Sequence, residues 1–403
     1  MREDISRSEV ESLLAHYDFP FPLQDFKTLF GGYSGTSIRV EGAGNQAFVL
    51  KICHGYERAD VEAQARCAVY ARQKGFAGAC TFLALRPQSG LGSLLSALTP
   101  VQYSVERASD KTPCCLLTWV DGSAADKVIA QGKVPAKDVL RAVGAGLGAL
   151  HSVAAPSGRD GRRLRACEAD NGACDVRKHL SGDFSRSLEA APAVREHPFL
   201  AFYAEQVTSL QAAFSAPGLA RGVLHGDPFL DNILVRPSDG TFEGFVDLED
   251  VCVGPLLFDL ACCASAACFR PHDNALDVRC LRALLTGYSS TRRLSPAEKA
   301  NFVAFMKLTM LCNCSWRFKN FNIDHRELES CRNAHVELQE RILALEDDMT
   351  AGFIEGILAE LPDAPGPTGP PEDAKKPYDG FAIAATVAAT AILCAVLARR
   401  SAR

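Results

Sequence analysis

The chain has no Cys-x-x-Cys pair and no His-Glu-x-x-His helix, and it has neither a P-loop nor a complete G-x-G-x-x-G turn. The first two absences set aside zinc catalysis, because zinc ligands need such spacings to converge on one ion. A dominant charge is also missing: 43 Lys plus Arg against 48 Asp plus Glu leave a net charge of −5. No general field therefore draws the chain to nucleic acid. The opening residues MREDISRSEV hold no apolar stretch, so a secretory signal is not expected. The sixteen cysteines are accordingly read as reduced, cytosolic thiols, and the pairs Cys114-Cys115 and Cys262-Cys263 lie in apolar runs where a thiol packs like a small hydrophobe.

What is present is an ordinary globular composition, 47% hydrophobic and 23% charged over 403 residues. At about 150 residues per domain, that length allows two to three packing units. Over the first 120 residues, short β-like runs at 25–30, 37–40, 47–52 and 115–120 alternate with one helical pattern at 60–74. Helical periodicity then takes over at 136–151, 199–214, 258–269, 277–288, 295–318 and 326–349, broken by short strands at 223–224, 233–235 and 244–248. Residues 156–187 are rich in Gly, Arg and Asp with little periodicity and read as an inserted loop or lid. The organisation expected is an N-lobe over 1–122 that binds nucleotide, a catalytic and acceptor-binding C-lobe over 123–360, and a Pro/Gly-rich linker over 361–380. The run FAIAATVAATAILCAVLA at 381–398 has 18 uncharged residues, about the minimum to span a bilayer. It predicts a C-terminal transmembrane anchor with the catalytic part facing the cytosol, as in tail-anchored proteins of mitochondrial or plastid outer membranes.

The chemistry concentrates between Gly222 and Ala261. His225-Gly226-Asp227 is followed five residues after the aspartate by Asn232, and an apolar strand then leads to Asp247. Phosphoryl transfer to a hydroxyl needs a carboxylate beside the attacking oxygen and hard oxygen ligands for Mg²⁺ on the nucleotide phosphates. Asp227 fits the base, and Asn232 and Asp247 fit the metal ligands. Upstream, Lys51 ends the strand FVLK and Glu62 lies in the next helix, an order that lets an ammonium pair with a carboxylate while bridging phosphates; Glu57 competes for that pairing. The turn Gly31-Gly32-Tyr33-Ser34-Gly35 can bring backbone amides to phosphates, with Gly32, Ser34 and Gly35 as the contacts. Trp119 and Val120 close the small lobe, where hinge backbone can meet adenine.

On these residues the sequence resembles the aminoglycoside phosphotransferase and choline kinase superfamily, small-molecule relatives of protein kinases. The resemblance runs from about Phe30 to Arg341 and is most specific from His225 to Asp259. It implies an α+β, two-lobed protein-kinase-like fold, with a small antiparallel sheet and one helix in the N-lobe and a mostly helical C-lobe, to which the expected transmembrane helix is appended. ATP and Mg²⁺ are implied as cofactors, with Asp259 bracing the catalytic loop and His225 orienting it. The segments RGVLHGDPFLDNILV, FDLACCASAACF and LLTGYSSTRRLSPAEKANF look most like kinase-like homoserine kinases, although the Gly turn lacks that subfamily's Asn-rich pattern and Trp316 to Phe321 has no counterpart assigned.

The negative charge of Asp227, Glu249 and Asp250 beside the transferred group favours a hydroxyl acceptor that also carries an ammonium. Homoserine leads, with choline, ethanolamine, hydroxylysine or an aminoglycoside as other acceptors. Among Arg162, Arg163 and Arg165, one could meet an acceptor carboxylate, against the plainer reading of solvated loop charge. The contrasting class is a catalytically silent, membrane-bound kinase-like binding module.

Overall fold

Alternation of side chains along the first strands decides which way the N-lobe faces. In β3 (Ala47–Ile52), Leu50 and Ile52 point to one side of the sheet and Lys51 to the other. β5 (Pro113–Thr118) repeats the pattern, with Cys114 and Leu116 on the outer side and Cys115 and Leu117 on the inner side. With β1 (Asp25–Thr28), β2 (Thr36–Glu41) and β4 (Ser104–Glu106), they form an antiparallel sheet in the order β1-β2-β3-β5-β4. The outer face is covered by α1 (Arg7–Leu14), which buries Val10, Leu13 and Leu14 against Ile38, Val40, Leu50 and Ile52. The inner face packs α2 (Arg58–Gln73) through Val61, Ala65 and Ala68. The computed structural model describes residues 5–29, 35–87, 100–169 and 178–364.

The chain enters the second lobe at β6 (Ser123–Ala124), which pairs with β8 (Ile233–Val235), itself paired with β9 (Phe242–Phe245). A second small sheet joins β7 (Arg221–Leu224) to β10 (Cys252–Pro255). Between β6 and β7 lie α3 (Ala125–Ala130), α4 (Ala136–His151), α5 (Gly158–Arg163), α6 (Gly182–Ala190) and α7 (Phe199–Leu210). After β10 come α8 (Leu257–Ala267), α9 (Val278–Thr291), α10 (Pro296–Lys319), α11 (Val336–Ala344) and α12 (Asp348–Glu360). Their apolar faces share one core that includes Phe258, Leu284, Phe302, Phe305 and Phe318. The two-lobed, protein-kinase-like arrangement is thus as the sequence predicts.

Several boundaries differ. The expected loop at 156–187 carries α5 and α6, the latter capped by Ser181, which accepts from the Phe184 amide at 3.1 Å. The single helix expected at 326–349 is interrupted: α10 runs on into a π-turn at Asn320–Asp324, and Asp347 starts α12 by accepting from the Thr350 amide. Helix α1 was not expected, although Ser6 followed by Glu9 is a capping signal, and Ser6 does accept from the Glu9 amide.

The transmembrane part of the expected fold does not stand. Among the described residues no helix is long and apolar enough to cross a membrane, and residues 381–398 lie outside the described residues. The longest described helix, α10, carries Glu298, Lys299, Lys307, Arg317 and Lys319 along its length, while the 381–398 run reaches its 18 residues with eight alanines and two threonines, which makes it a weak hydrophobic stretch. The fold class is corrected to the two lobes alone, and the membrane-anchored, cytosol-facing placement is withdrawn with it.

Candidate active site

The floor of the cleft is a loop tied to itself. After β7, His225 donates from Nε2 to the carbonyl of Val246 at 2.9 Å, and its Nδ1 accepts from the Asp227 amide at 3.3 Å. Those two bonds assign the neutral tautomer with the proton on Nε2. Burial pushes this imidazole below its ordinary value, in keeping with that state. The Val246 amide in turn donates to the carbonyl of Asn232 at 2.9 Å. Val246 is therefore gripped from both sides, and Asp247, the next residue, is delivered to the same place as Asp227 and Asn232.

Asn232 directs its Nδ2 to the Asp227 carbonyl at 3.0 Å and to Asp227 Oδ2 at 3.1 Å. Nδ2 is committed to Asp227, so the acceptor capacity of this amide resides in Oδ1. Burial pushes the Asp227 carboxyl up to about 7, with Asp247, Asp231 and Asp259 adding to the shift and the Asn232 bond opposing it. Such a carboxyl exchanges its proton near neutrality, which suits general base work. Asp247 sits at φ 59° and ψ 67°, in the left-handed region where a non-glycine residue costs on the order of 1–3 kcal/mol.

Lys51 reaches across from β3 to this loop. Its Nζ lies 2.7 Å from Asp247 Oδ1 and also pairs with Glu249 Oε1. Burial alone would lower this ammonium, but the two carboxylates outweigh it and hold the group above its usual range. Reciprocally, burial would raise Asp247, and the Lys51 ammonium instead keeps it below the ordinary carboxylate value. Glu249 joins the lobes in two further ways: its Oε2 accepts from the Tyr56 hydroxyl at 3.3 Å, and its carbonyl from Gln64 Nε2 at 2.6 Å. The sequence reading gave Glu249 only a share in acceptor charge; the acidic pair two residues apart after β9 was the available signal for more.

The expected partner of Lys51 is engaged elsewhere. Glu62 Oε1 accepts from the backbone amides of Tyr103 and Ser104, both at 2.9 Å, and from Ser104 Oγ at 2.7 Å. Its Oε2 is buried without a hydrogen-bond partner. Glu57, the competitor, is exposed at the start of α2, where its amide donates to Asp60. In this structure the pairing of Lys51 with Glu62 or Glu57 is replaced by pairing with Asp247 and Glu249. Glu62→Ala would strand two buried amides and a hydroxyl, a loss of about 1–3 kcal/mol. We expect a lower urea midpoint for that variant; an unchanged midpoint would show that these three bonds do not hold the lobe together.

The remaining predicted residues divide by position. Gly35 sits against this cluster, where an added Cβ would lie 3.3 Å from Lys51 Cε and 3.5 Å from Glu249 Oε1. Gly32 and Ser34 lie outside the described residues. Trp119 donates from Nε1 to Asp121 Oδ1 at 2.9 Å and lies under the Arg39 guanidinium, 5.0 Å from the ring centroid. Val120 packs beside Gly244 of β9. Asp259 is fully buried at the start of α8 and accepts from the amides of His225 at 2.6 Å and Gly226 at 3.0 Å. Among the described residues no group of three or more His, Cys, Asp or Glu side chains is placed to hold a metal. The oxygens of Asp227, Asn232 and Asp247 are nonetheless the hard donors that suit Mg²⁺, which retains several waters and needs few protein ligands.

Comparison with known proteins points the same way. A family model described as a phosphotransferase enzyme family, APH, matches residues 25–294. A homoserine kinase of Phenylobacterium zucineum is 28% identical over 300 residues, covering 74% of this chain and 80% of its own length. A homoserine kinase of Beijerinckia indica is 31% identical over 188 residues, a more local match covering 47% of this chain and 52% of the relative. Among solved structures, a microcompartment-associated aminopropanol kinase superposes with a TM-score of 0.60 at 16% identity, covering 87% of this chain and 99% of the other. An amicoumacin kinase gives 0.59 at 13%, covering 89% and 95%. At these identities the two structures speak for the fold.

Proposed function

Because this chain belongs to the APH phosphotransferase enzyme family and is a homoserine-kinase-like small-molecule kinase, we propose that it phosphorylates the hydroxyl of a small amino-bearing metabolite, homoserine foremost, at the expense of ATP. The observation that carries this reading is the placement of Asp227: Asn232 Nδ2 holds its half-buried carboxylate at 3.1 Å, on the loop that also presents Asp247 to Lys51, and burial raises the carboxyl to about 7. In this proposal Asp227 accepts the proton of the acceptor hydroxyl as its oxygen attacks the terminal phosphorus, and the bond from that phosphorus to the bridging oxygen of ADP breaks. Residues 1–122 bind the nucleotide and 123–360 the acceptor.

Asn232 and Asp247 would hold Mg²⁺, whose chemistry when bound is to neutralise charge on the phosphates. Lys51 would then leave Asp247 for phosphate oxygens, with Glu62, whose Oε2 is buried and unpartnered, taking up the ammonium. In the same proposal Gly32, Ser34 and Gly35 would supply contacts to the phosphates and the Trp119-Val120 backbone would meet adenine. The acceptor's ammonium is favoured by the carboxylates of Asp227, Asp231, Glu249 and Asp250 around the loop, and the homoserine kinases among the relatives make a hydroxy-amino acid the first candidate.

The test is ADP release by the purified chain with Mg²⁺ and ATP against homoserine, choline, ethanolamine, hydroxylysine and an aminoglycoside. We expect homoserine to exceed every other acceptor in kcat/KM by at least about tenfold, a discrimination that about 1.4 kcal/mol of acceptor recognition supplies. Preference for choline or ethanolamine would keep the chemistry and replace the acceptor; ATP binding without turnover of any acceptor would favour the silent module.

A further inference from the structure

Behind the catalytic loop runs a line of buried and half-buried polar groups that ends on Asp259. It starts at α10, whose first turn is closed by Glu298: Oε2 accepts from the Ser295 amide at 2.8 Å, and Oε1 from Arg292 Nη2 at 2.7 Å. Arg292 donates through Nη1 to the Tyr288 hydroxyl oxygen at 2.8 Å. Tyr288 lies 2.9 Å from His151 Nδ1, and His151 Nε2 lies 3.2 Å from Asp259 Oδ2. Asp259 holds the amides of His225 and Gly226. Tyr288, Asp259 and Glu298 are 0% exposed and His151 is 3%.

The direction of the protons follows from what each group can do. A guanidinium only donates, so the Tyr288 oxygen is an acceptor toward Arg292 and its own hydrogen is available to His151 Nδ1. That leaves the imidazole proton on Nε2, aimed at Asp259. Burial also lowers the basicity of His151 and opposes a second proton there. The two helices that present these residues meet closely: a Cβ on Gly287 would fall 2.0 Å from the Arg141 carbonyl, so α9 rests directly on the backbone of α4 and Tyr288 is brought against His151.

We propose that Tyr288 and Arg292 are positioning residues for phosphoryl transfer, fixing His151 as a neutral Nε2–H donor to Asp259 and through Asp259 the backbone of His225, Gly226 and Asp227. The proposal rests on the assignment of Asp227 as base, and part of its test does not. Removing the Tyr288 hydroxyl frees His151 Nδ1 and the Arg292 Nη1 proton, the imidazole can change tautomer, and Asp259 loses its only side-chain donor on this line. Misplacement of a reacting group by about 1 Å can lower a rate by about 100-fold.

The experiment uses the full chain as wild type, Tyr288→Phe, and Ser265→Ala as a control. Ser265 is buried in the same helix as Asp259 and bonds Met306 and Thr309 away from the loop. Nitrogen-15 spectra of the imidazoles are expected to show His151 protonated at Nε2 in the wild type. In Tyr288→Phe, exchange of the His225 and Gly226 amides is expected to accelerate at least about tenfold, and kcat to fall by about ten- to a hundredfold with the KM for ATP within about twofold; Ser265→Ala changes neither. Protection of the two amides unaltered by Tyr288→Phe, a His151 protonated at Nδ1, or equal effects of Ser265→Ala would overturn the proposal. If wild type turned over no acceptor, the proposed function would fail, while amide exchange and the imidazole spectra would still decide this inference.

Discussion

Asp227→Asn is expected to lower kcat by at least about 1000-fold, within the range that a positioned base contributes, while ATP still binds with nearly unchanged affinity. The amide keeps the shape of the carboxylate and can still accept from Asn232 Nδ2, but it cannot take a proton at any usable pH. In the unmodified enzyme the same group sets a pH profile. Its carboxyl is raised to about 7 by burial and by the surrounding carboxylates, so kcat/KM should rise with pH through about 7 as the base form appears. A profile flat from pH 6 to 8, or an Asp227→Asn enzyme that stays active, would remove Asp227 from the role of base.

The same raised value predicts a cost in stability. Native Asp227 keeps its proton up to about 7, whereas an unfolded aspartate releases it near about 3.9. Folding therefore takes up a proton between those values. The contribution of this group is fully present below about 4 and is lost as pH rises through about 7. Asp227→Asn, which never ionises, should melt higher than wild type at pH 8 and lose most of that advantage near pH 5.

Gly226→Ala is the second large effect. Gly226 has φ +89°, and a Cβ there would lie 2.1 Å from the Asp250 carbonyl oxygen and 2.7 Å from its carbonyl carbon. Backbone cannot swing aside as a flexible side chain could, so the loop must shift bodily. The left-handed conformation alone costs a non-glycine residue on the order of 1–3 kcal/mol. The shift would also draw the Gly226 amide from Asp259 and move Asp227. We expect a soluble protein with a lowered melting temperature and a kcat below about 1% of wild type. A variant with near-normal kcat would mean that the loop tolerates displacement, and would weaken the argument that its exact backbone path matters.

Much of the arrangement could be read from the chain because the informative residues are local. Lys51 stands between Leu50 and Ile52, and strand alternation alone places it on the face opposite theirs. His225, Asp227, Asn232 and Asp247 lie within one loop and hairpin, so spacing implies proximity, and Asp259 follows at the start of a helix. The pairing of Glu62 was not legible, since its partners are the amides of Tyr103 and Ser104 and the Ser104 hydroxyl, where the chain enters β4, a three-residue strand that carries no periodicity. A main-chain donor has no residue type to recognise. His151 and Tyr288 were hidden for a related reason: each is a polar residue on the otherwise apolar buried face of its helix, and only the packing of α4 on α9 shows that they meet. The expected anchor at 381–398 came from length without enough weight on composition, where alanine supplies extent but little hydrophobic drive.

Glu62's three bonds to residues 103 and 104 have a mechanical meaning. They rivet α2 to the edge of its sheet, so that helix and sheet turn as one plate. Any opening of the cleft would have to carry helix and sheet together and release two sets of ties at once, those of Tyr56, Gln64 and Lys51 to Glu249 and those of α2 to Ala154, Asp160 and Cys167.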